Sequence, residues 1–335
     1  MWQIGECLKL GKKVRLWVEC FGILICFCLV IGCSYKSTPN DFMQNSGELS
    51  ESFSEDEKES NDIEENDVEI EETKGEEVKE KNSWELIWYD EFLGETLDLT
   101  KWSYQIGNSY QGWGNYEAQY YTKENVSVKE GMLIIEARKE DMQGCGYSSG
   151  RIRTITEDGQ ILFSTQGGKI EARISMPIGD GLWPAFWMMP VGNDYGLWPL
   201  SGEIDVMEAK GRIPNSVLGT IHFGESAPNN KKMTGDYYFE DSNISDFHVY
   251  AVEWDTNEIK WLVDNKVYYK TSDWYTVGEE GEVCDYPAPF DKPFYLLLNL
   301  AVGGIFDNFI LPKDEELPAQ MKVDYVRVYK KVEER

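Results

Sequence analysis

The stretch GEIDVMEAKG, residues 202–211, sets three carboxylates, Glu203, Asp205 and Glu208, among the apolar Ile204, Val206 and Met207. At about 100° per residue a helix would point Glu203 and Asp205 nearly opposite ways and leave Glu208 apart from both. A regular strand puts Glu203 and Asp205 on one face but sends Glu208, five positions on from Glu203, to the other. One inserted residue repairs the parity. With Met207 as the extra member of a β-bulge, all three acids line one surface, and bulges are frequent beside active sites.

Three adjacent carboxylates repel, so one of them should hold its proton near neutral pH. An acid then stands beside a base, the pairing that glycoside hydrolysis needs. Retaining enzymes hold the two groups about 5 to 5.5 Å apart. The ends of this stretch are farther apart than that along a straight backbone, which predicts a curved, concave sheet. A solvated strand face normally mixes Lys with Glu, and none stands between Glu203 and Glu208.

The surrounding pattern is all-β. In GKIEARISMP, Ile170, Ala172, Ile174 and Met176 alternate with Lys169, Glu171, Arg173 and Ser175, a half-buried strand. IKWLVDNKVYYK carries Asp264-Asn265 between two β-rich runs, a hairpin signal. FYLLLNLAV, between Pro293 and Gly303, reads as a strand buried on both sides. Gly146-Tyr147-Ser148-Ser149-Gly150 fits the serine-hydrolase elbow G-x-S-x-G, but that turn must lead into a helix and the following RIRTIT alternates as a strand. Roughly 250 residues is within range for a single all-β domain.

The acid motif has companions along the chain: WYDEF at 88–92, GWGNYEAQYYT at 112–122, SGRIRT at 149–154, GLWPAFWMMP at 181–190, GTIHFG at 219–224, FHVYAVEWD at 247–255, FYLLLNLAVGG at 294–304 and VDYVRVY at 323–329. In this order they resemble glycoside hydrolase family 16, in particular the bacterial laminarinases that cut β-1,3-glucan. The resemblance covers residues 84–331. It implies a β-jelly roll of two antiparallel sheets with the substrate cleft across the concave one. It implies Glu203 as nucleophile, Glu208 as general acid and then base, and Asp205 as the helper that tunes the pair. Trp183, Trp187 and Trp198 match tryptophans that stack on sugar rings, with core packing the alternative for each. Asn115, Glu117, Arg151 and His222 match positions lining the cleft.

By the same resemblance, catalysis needs no cofactor, and a structural calcium ion is expected at Glu91, the backbone of Gly131 and Asp324, oxygen ligands of the kind this ion prefers. Ordinary surface acids are the alternative for Glu91 and Asp324. The expected action is retaining endo-hydrolysis of β-1,3-glucan by a monomer. Mixed-linkage β-1,3-1,4-glucan is the second substrate, and a non-catalytic carbohydrate-binding surface protein is the rival from another class. One departure stands out. After LAVGG the family commonly has Asn and then Phe-Asp-Gly, whereas here the run is Ile305, Phe306, Asp307, Asn308.

The first 83 residues read differently. Lys9, Lys12, Lys13 and Arg15 precede a mostly apolar run from Leu16 to Ile31, and Val30-Ile31-Gly32-Cys33 resembles a bacterial lipobox. Sixteen residues fall short of the roughly 20 that span a bilayer as a helix. By resemblance to lipoprotein signals, residues 1–32 are expected to be a signal cleaved before Cys33, which would carry the lipid at the outer face of a bacterial membrane; an uncleaved signal anchor is the alternative. Residues 33–83 are an acidic tether: from 34 to 83 there are 17 Asp or Glu against 5 Lys. Such a segment buries too little surface to fold, and self-repulsion extends it. The net charge of the whole chain is −28. Nucleic acid, which requires basic patches, is excluded as a partner. Cys145 and Cys284 are the cysteines left in the domain, and export leaves a disulfide between them open.

Overall fold

Period-two alternation places the strands where it predicts them. The run 169–176 forms most of Gly168–Ser175, with Ile170, Ala172 and Ile174 fully buried and Met176 just past its end. Glu171 is the exception on the polar face: it is buried, and Lys169 Nζ at 2.9 Å and the Tyr329 hydroxyl at 3.1 Å satisfy it. Ile259–Val263 and Lys266–Thr271 form the expected hairpin, and its turn residues Asp264 and Asn265 both take positive φ, at 50° and 64°, as a type I′ turn requires.

This computed structural model describes residues 84–278 and 281–332. The expected signal, Cys33 and the acidic tether lie outside the described residues. In chain order the strands are β1 (Trp84–Asp90), β2 (Ser103–Tyr104), β3 (Gln119–Tyr121), β4 (Val126–Lys129), β5 (Met132–Ala137), β6 (Tyr147–Ser149), β7 (Arg151–Arg153), β8 (Gly168–Ser175), β9 (Leu182–Pro190), β10 (Glu203–Glu208), β11 (Ser216–Phe223), β12 (Lys231–Tyr238), β13 (His248–Trp254), β14 (Ile259–Val263), β15 (Lys266–Thr271), β16 (Phe294–Val302) and β17 (Ala319–Lys331). Helical pieces among the described residues are short 3-10 or π turns of three to five residues.

Two antiparallel sheets carry the fold. One runs β15-β14-β13-β8-β17-β5-β4, with β1 added along the second half of β17. The other runs β12-β11-β10-β9-β16-β7-β2, and β3 pairs with β6 in a separate parallel ribbon. Between the two sheets lies one apolar core: Leu133, Ile135, Ile170, Ile174, Tyr250, Trp261 and Val328 from the first meet Phe186, Met188, Ile204, Met207, Ile221, Leu296 and Leu298 from the second. β16, the FYLLLNLAV run, is central in its sheet and buried on both faces, as its unbroken apolar character predicts.

The elbow sequence at 146–150 leads from β6 directly into β7 rather than into a helix. Ser148 and Ser149 are fully buried, the first donating to Glu140 and the second to the Leu300 carbonyl. The two cysteines are free. The disulfide left open by the sequence is absent because they sit in separate loops, Cys145 closing a tight turn on Met142 and Cys284 bonded through its amide to Thr276.

One packing detail connects the core to the site. A Cβ at Gly219 of β11 would fall 2.1 Å from Trp261 Cδ1, and Trp261 Nε1 donates to the Asp205 carbonyl at 2.8 Å. Gly219 therefore leaves room for the indole that pins the bulged strand. Gly219→Ala is expected to cost about 1–3 kcal/mol by overpacking and to lower activity along with Tm. A variant of unchanged Tm would show that the indole moves aside freely.

Candidate active site

The three acids sit on β10, whose pairing slips where parity demanded. Against β9, Asp205 faces Trp187 and Met207 faces Phe186, so Val206 is the unpaired residue; against β11, the slip falls between Asp205 and Glu208. The sequence reading expected Met207 to be the extra residue. The structure moves the insertion to Val206, because Met207 and Val206 both drop into the core and the pairing resumes one residue earlier. The functional consequence is as expected: Ile204, Val206 and Met207 face the core, while Glu203, Asp205 and Glu208 face away from it.

Residues directly opposite one another in antiparallel strands share a face, so the register assembles the rest. Glu203 faces His222, Asp205 faces Thr220 and Trp187, and Glu208 faces Ala185. Ala185 faces Asn299, which in turn faces Arg151. Trp183, two residues before Ala185, lies on the same side. Among the sequence-nominated residues this row gathers the three acids, His222, Trp183, Trp187 and Arg151.

Burial and crowding make the acids unequal. Glu208 is pushed up to about 8, first by desolvation and then by the charge of Asp205, against the pull of His222 and the Trp183 N–H. Asp205, 2% exposed, is raised well above the usual carboxylate range by burial and then by Glu203. Its Oδ2 lies 3.4 Å from His222 Nε2 and has no hydrogen-bond partner among the described residues. Glu203 accepts a 2.6 Å hydrogen bond from Trp198 Nε1, and Glu208 one of 2.9 Å from Trp183 Nε1. Each terminal acid is thus oriented by an indole N–H. At neutral pH the row offers a protonated Glu208 within the field of neighbouring carboxyls, an arrangement suited to donating a proton to a leaving oxygen.

The tryptophans differ in surface. Trp198 is 44% exposed and tilts beside His222. Trp183 is nearly buried, its ring stacked on Phe306 at 4.5 Å. Trp187 faces the cleft rather than the core; its N–H donates to Asn299 at 2.7 Å, and the Arg151 guanidinium lies over its ring at 4.8 Å. The same guanidinium lies 4.7 Å from the centre of the Trp113 ring. Glu117 is buried and accepts from Asn115, Gln119 and the Tyr121 hydroxyl. Tyr121 in turn accepts from Asn299. Asn115, Glu117, Arg151 and Trp187 therefore belong to one polar network that flanks the acid row.

A sequence profile of the glycosyl hydrolases family 16 matches residues 91–327. The chain belongs to that family. It is 46% identical over 264 residues to glucan endo-1,3-beta-glucosidase A1 of Niallia circulans, a match covering 73% of this chain and 38% of that protein. It is 43% identical over 258 residues to a beta-glucanase of Rhodothermus marinus, covering 75% and 86%. The solved laminarinase of Rhodothermus marinus superposes with a TM-score of 0.66 at 42% identity, covering 75% of this chain and 99% of that one. The chain thus spans less than two fifths of the Niallia relative but nearly all of the Rhodothermus laminarinase structure. The two sheets described above are the jelly roll of these family 16 structures.

The departure from the family 16 pattern after Gly304 has a structural meaning. Phe306 covers one face of Trp183, Lys210 lies over the Phe306 ring at 4.7 Å, and the fully buried Asp307 binds Arg212 at 2.6 Å. Sequence reading missed Asn299, Tyr121, Gln119 and Trp113. Asn299 carried a signal, a lone amide in an otherwise apolar strand; the other three were visible only as members of a motif.

Two of the expected calcium positions carry ion pairs. Both Glu91 carboxylate oxygens are held by Arg327, at 2.7 and 2.9 Å, and Asp324 Oδ2 is held by Arg173 at 2.7 Å. Among the described residues, the one acid and histidine group spaced to grip a cation is Glu203, Asp205 and His222. A cation there would tie up two of the carboxylates that hydrolysis needs.

Proposed function

We propose that this protein is a retaining endo-β-1,3-glucanase acting on laminarin-type chains. The observation that carries the reading is the bulged strand that turns Glu203, Asp205 and Glu208 to one face with Glu208 protonated at neutral pH. Glu203 attacks the anomeric carbon and the leaving oxygen takes the Glu208 proton. Glu208, now a base, activates the water that releases the sugar from Glu203. Asp205, its carboxyl pKa raised by burial and by Glu203, stands between the two and tunes the charge on the nucleophile. Trp198 and Trp187 offer apolar surface, and Asn115, Glu117, Arg151 and His222 offer polar atoms to hydroxyls.

The names of the relatives support β-1,3-glucan as substrate. Reducing-sugar release is expected to be fastest on laminarin, slower on lichenan and absent on agarose, with the first product retaining its anomeric configuration by NMR. Degradation of lichenan with laminarin left intact would replace the first substrate by mixed-linkage glucan. An inverted product would remove Glu203 as nucleophile.

Two finer parts of the reading rest on the sequence resemblance. The chain is anchored through a lipid on Cys33 at the outer face of a bacterial membrane and acts there as a monomer. Cys33→Ser should then move the enzyme from the membrane to the soluble fraction; an unchanged distribution sinks the anchor. A structural calcium ion binds Glu91, the main chain of Gly131 and Asp324. A Tm that ignores both chelator and added calcium removes it.

A further inference from the structure

We propose that Tyr116 and Phe309 form an aromatic platform at the rim of the cleft on which a distal glucosyl unit of the bound chain stacks. This rests on the β-glucanase reading above and extends it to a position outside the acid row. The two rings come from loops far apart in sequence and meet edge to face, with centroids 6.1 Å apart. Neither is covered: Tyr116 is 53% exposed and Phe309 60% exposed.

Their backbones are strained as well. Tyr116 sits at φ 57° and Phe309 at φ 61°, and Gln111, Trp113 and Asn308 in the same two loops are also left-handed. Bulky residues rarely adopt that region, and such strain persists where the surrounding structure imposes it. Packing of the rings does not offset it, because they face solvent. The loops are firmly tied: Tyr116 N–H donates to the Gln111 carbonyl and Phe309 N–H to the Gly304 carbonyl, each at 2.8 Å, and Arg212 holds Asp307. A Cβ at Gly304 would lie 2.9 Å from the Asn115 carbonyl, so only glycine lets the loops approach this closely.

The platform is continuous with the site. Asn115 and Glu117, either side of Tyr116, belong to the polar network, and Phe306, three residues before Phe309, stacks on the Trp183 that holds Glu208. An edge-to-face pair leaves ring faces free for the C–H side of a neutral pyranose. No charged recognition is needed for such a chain.

The test is a double variant, Tyr116→Asn with Phe309→Gly, whose replacements accept the left-handed backbone. It is assayed beside the parent on β-1,3-gluco-oligosaccharides of increasing length, with titration calorimetry on the longest. The ratio of kcat/KM on the longest to that on the shortest cleaved oligosaccharide is expected to fall about tenfold. Tm should hold or rise as strain is released. The ring-keeping pair Tyr116→Phe and Phe309→Tyr should retain the parental ratio. A fall shared equally by all lengths, or no change at any length, overturns the platform. If the parent cuts none of these oligosaccharides, the glucanase reading fails on its own account, and equal binding by parent and double variant in calorimetry then overturns the platform separately.

Discussion

Glu203→Gln is expected to lower turnover of laminarin on the order of 10⁴-fold or more while leaving glucan affinity within a few-fold of the parent. The amide keeps the size of the carboxylate and an oxygen to accept the Trp198 N–H that now reaches Glu203 at 2.6 Å. What it loses is the ability to form the glycosyl–enzyme ester, so substrate is held but not opened. Removing this negative charge also relieves Asp205, whose pKa is raised second by Glu203 after burial. A companion Glu203→Ala leaves a gap in which azide can attack the anomeric carbon from the nucleophile's side. Recovery of rate with an α-glycosyl azide product would identify the missing group directly. A binding protein whose acids are incidental predicts no change in any of these measurements. Turnover above about a hundredth of the parental value, in a preparation free of parental enzyme, would take the nucleophile role from Glu203.

Glu208→Gln carries the second large effect, and it has two readouts. The parental rate should be bell-shaped in pH, with an alkaline limb near pH 8 where Glu208 loses its proton. The variant should lose that limb and fall about 10²- to 10⁴-fold on laminarin. The loss should be far smaller on aryl glycosides whose leaving group needs no proton. An alkaline limb that survives the substitution assigns the acid elsewhere.

Stability gives the other readout. Glu208 has a folded pKa of about 8 against 4.5 for the ordinary side chain. Between those values the unfolded chain has released the proton and the folded one has not. Stability therefore falls as pH rises from about 4.5 and levels off above about 8, by on the order of a few kcal/mol in all, given the partial exposure of the group. Glutamine has no proton to lose. The variant should match the parent near pH 4 to 5 and exceed it in Tm at pH 8.5. A difference that does not grow with pH would mean that burial does not strain this carboxyl.

Much of the acid row was legible beforehand because parity is a local property. Glu203, Asp205 and Glu208 can share a strand face only if one residue is inserted, and the pairing of β10 contains that insertion. The Asp264-Asn265 turn and the alternation around Ile170, Ala172 and Ile174 were legible for the same reason: each depends on neighbours a few residues away. Parity could not say which residue bulges. Val206 and Met207 are both apolar, and the choice falls to how β9 and the core receive them.

The sequence by itself determined the order of the strands' inward and outward residues, the need for an irregular β10 and the identity of the acids. Tertiary structure decided how unequal they are. The shift of Glu208 comes first from desolvation by strands that its own segment does not encode; the charge of Asp205, on the same strand, adds to it, and the N–H of Trp183, 25 residues away, opposes it. Trp187 could pack inward or face the cleft as far as its own segment shows. Its orientation is set by Asn299, 112 residues on, and by the Arg151 guanidinium over its ring. Periodicity and the crowding of like charges are written within a strand, whereas burial arises only when distant strands pair, and the chemistry depends on both.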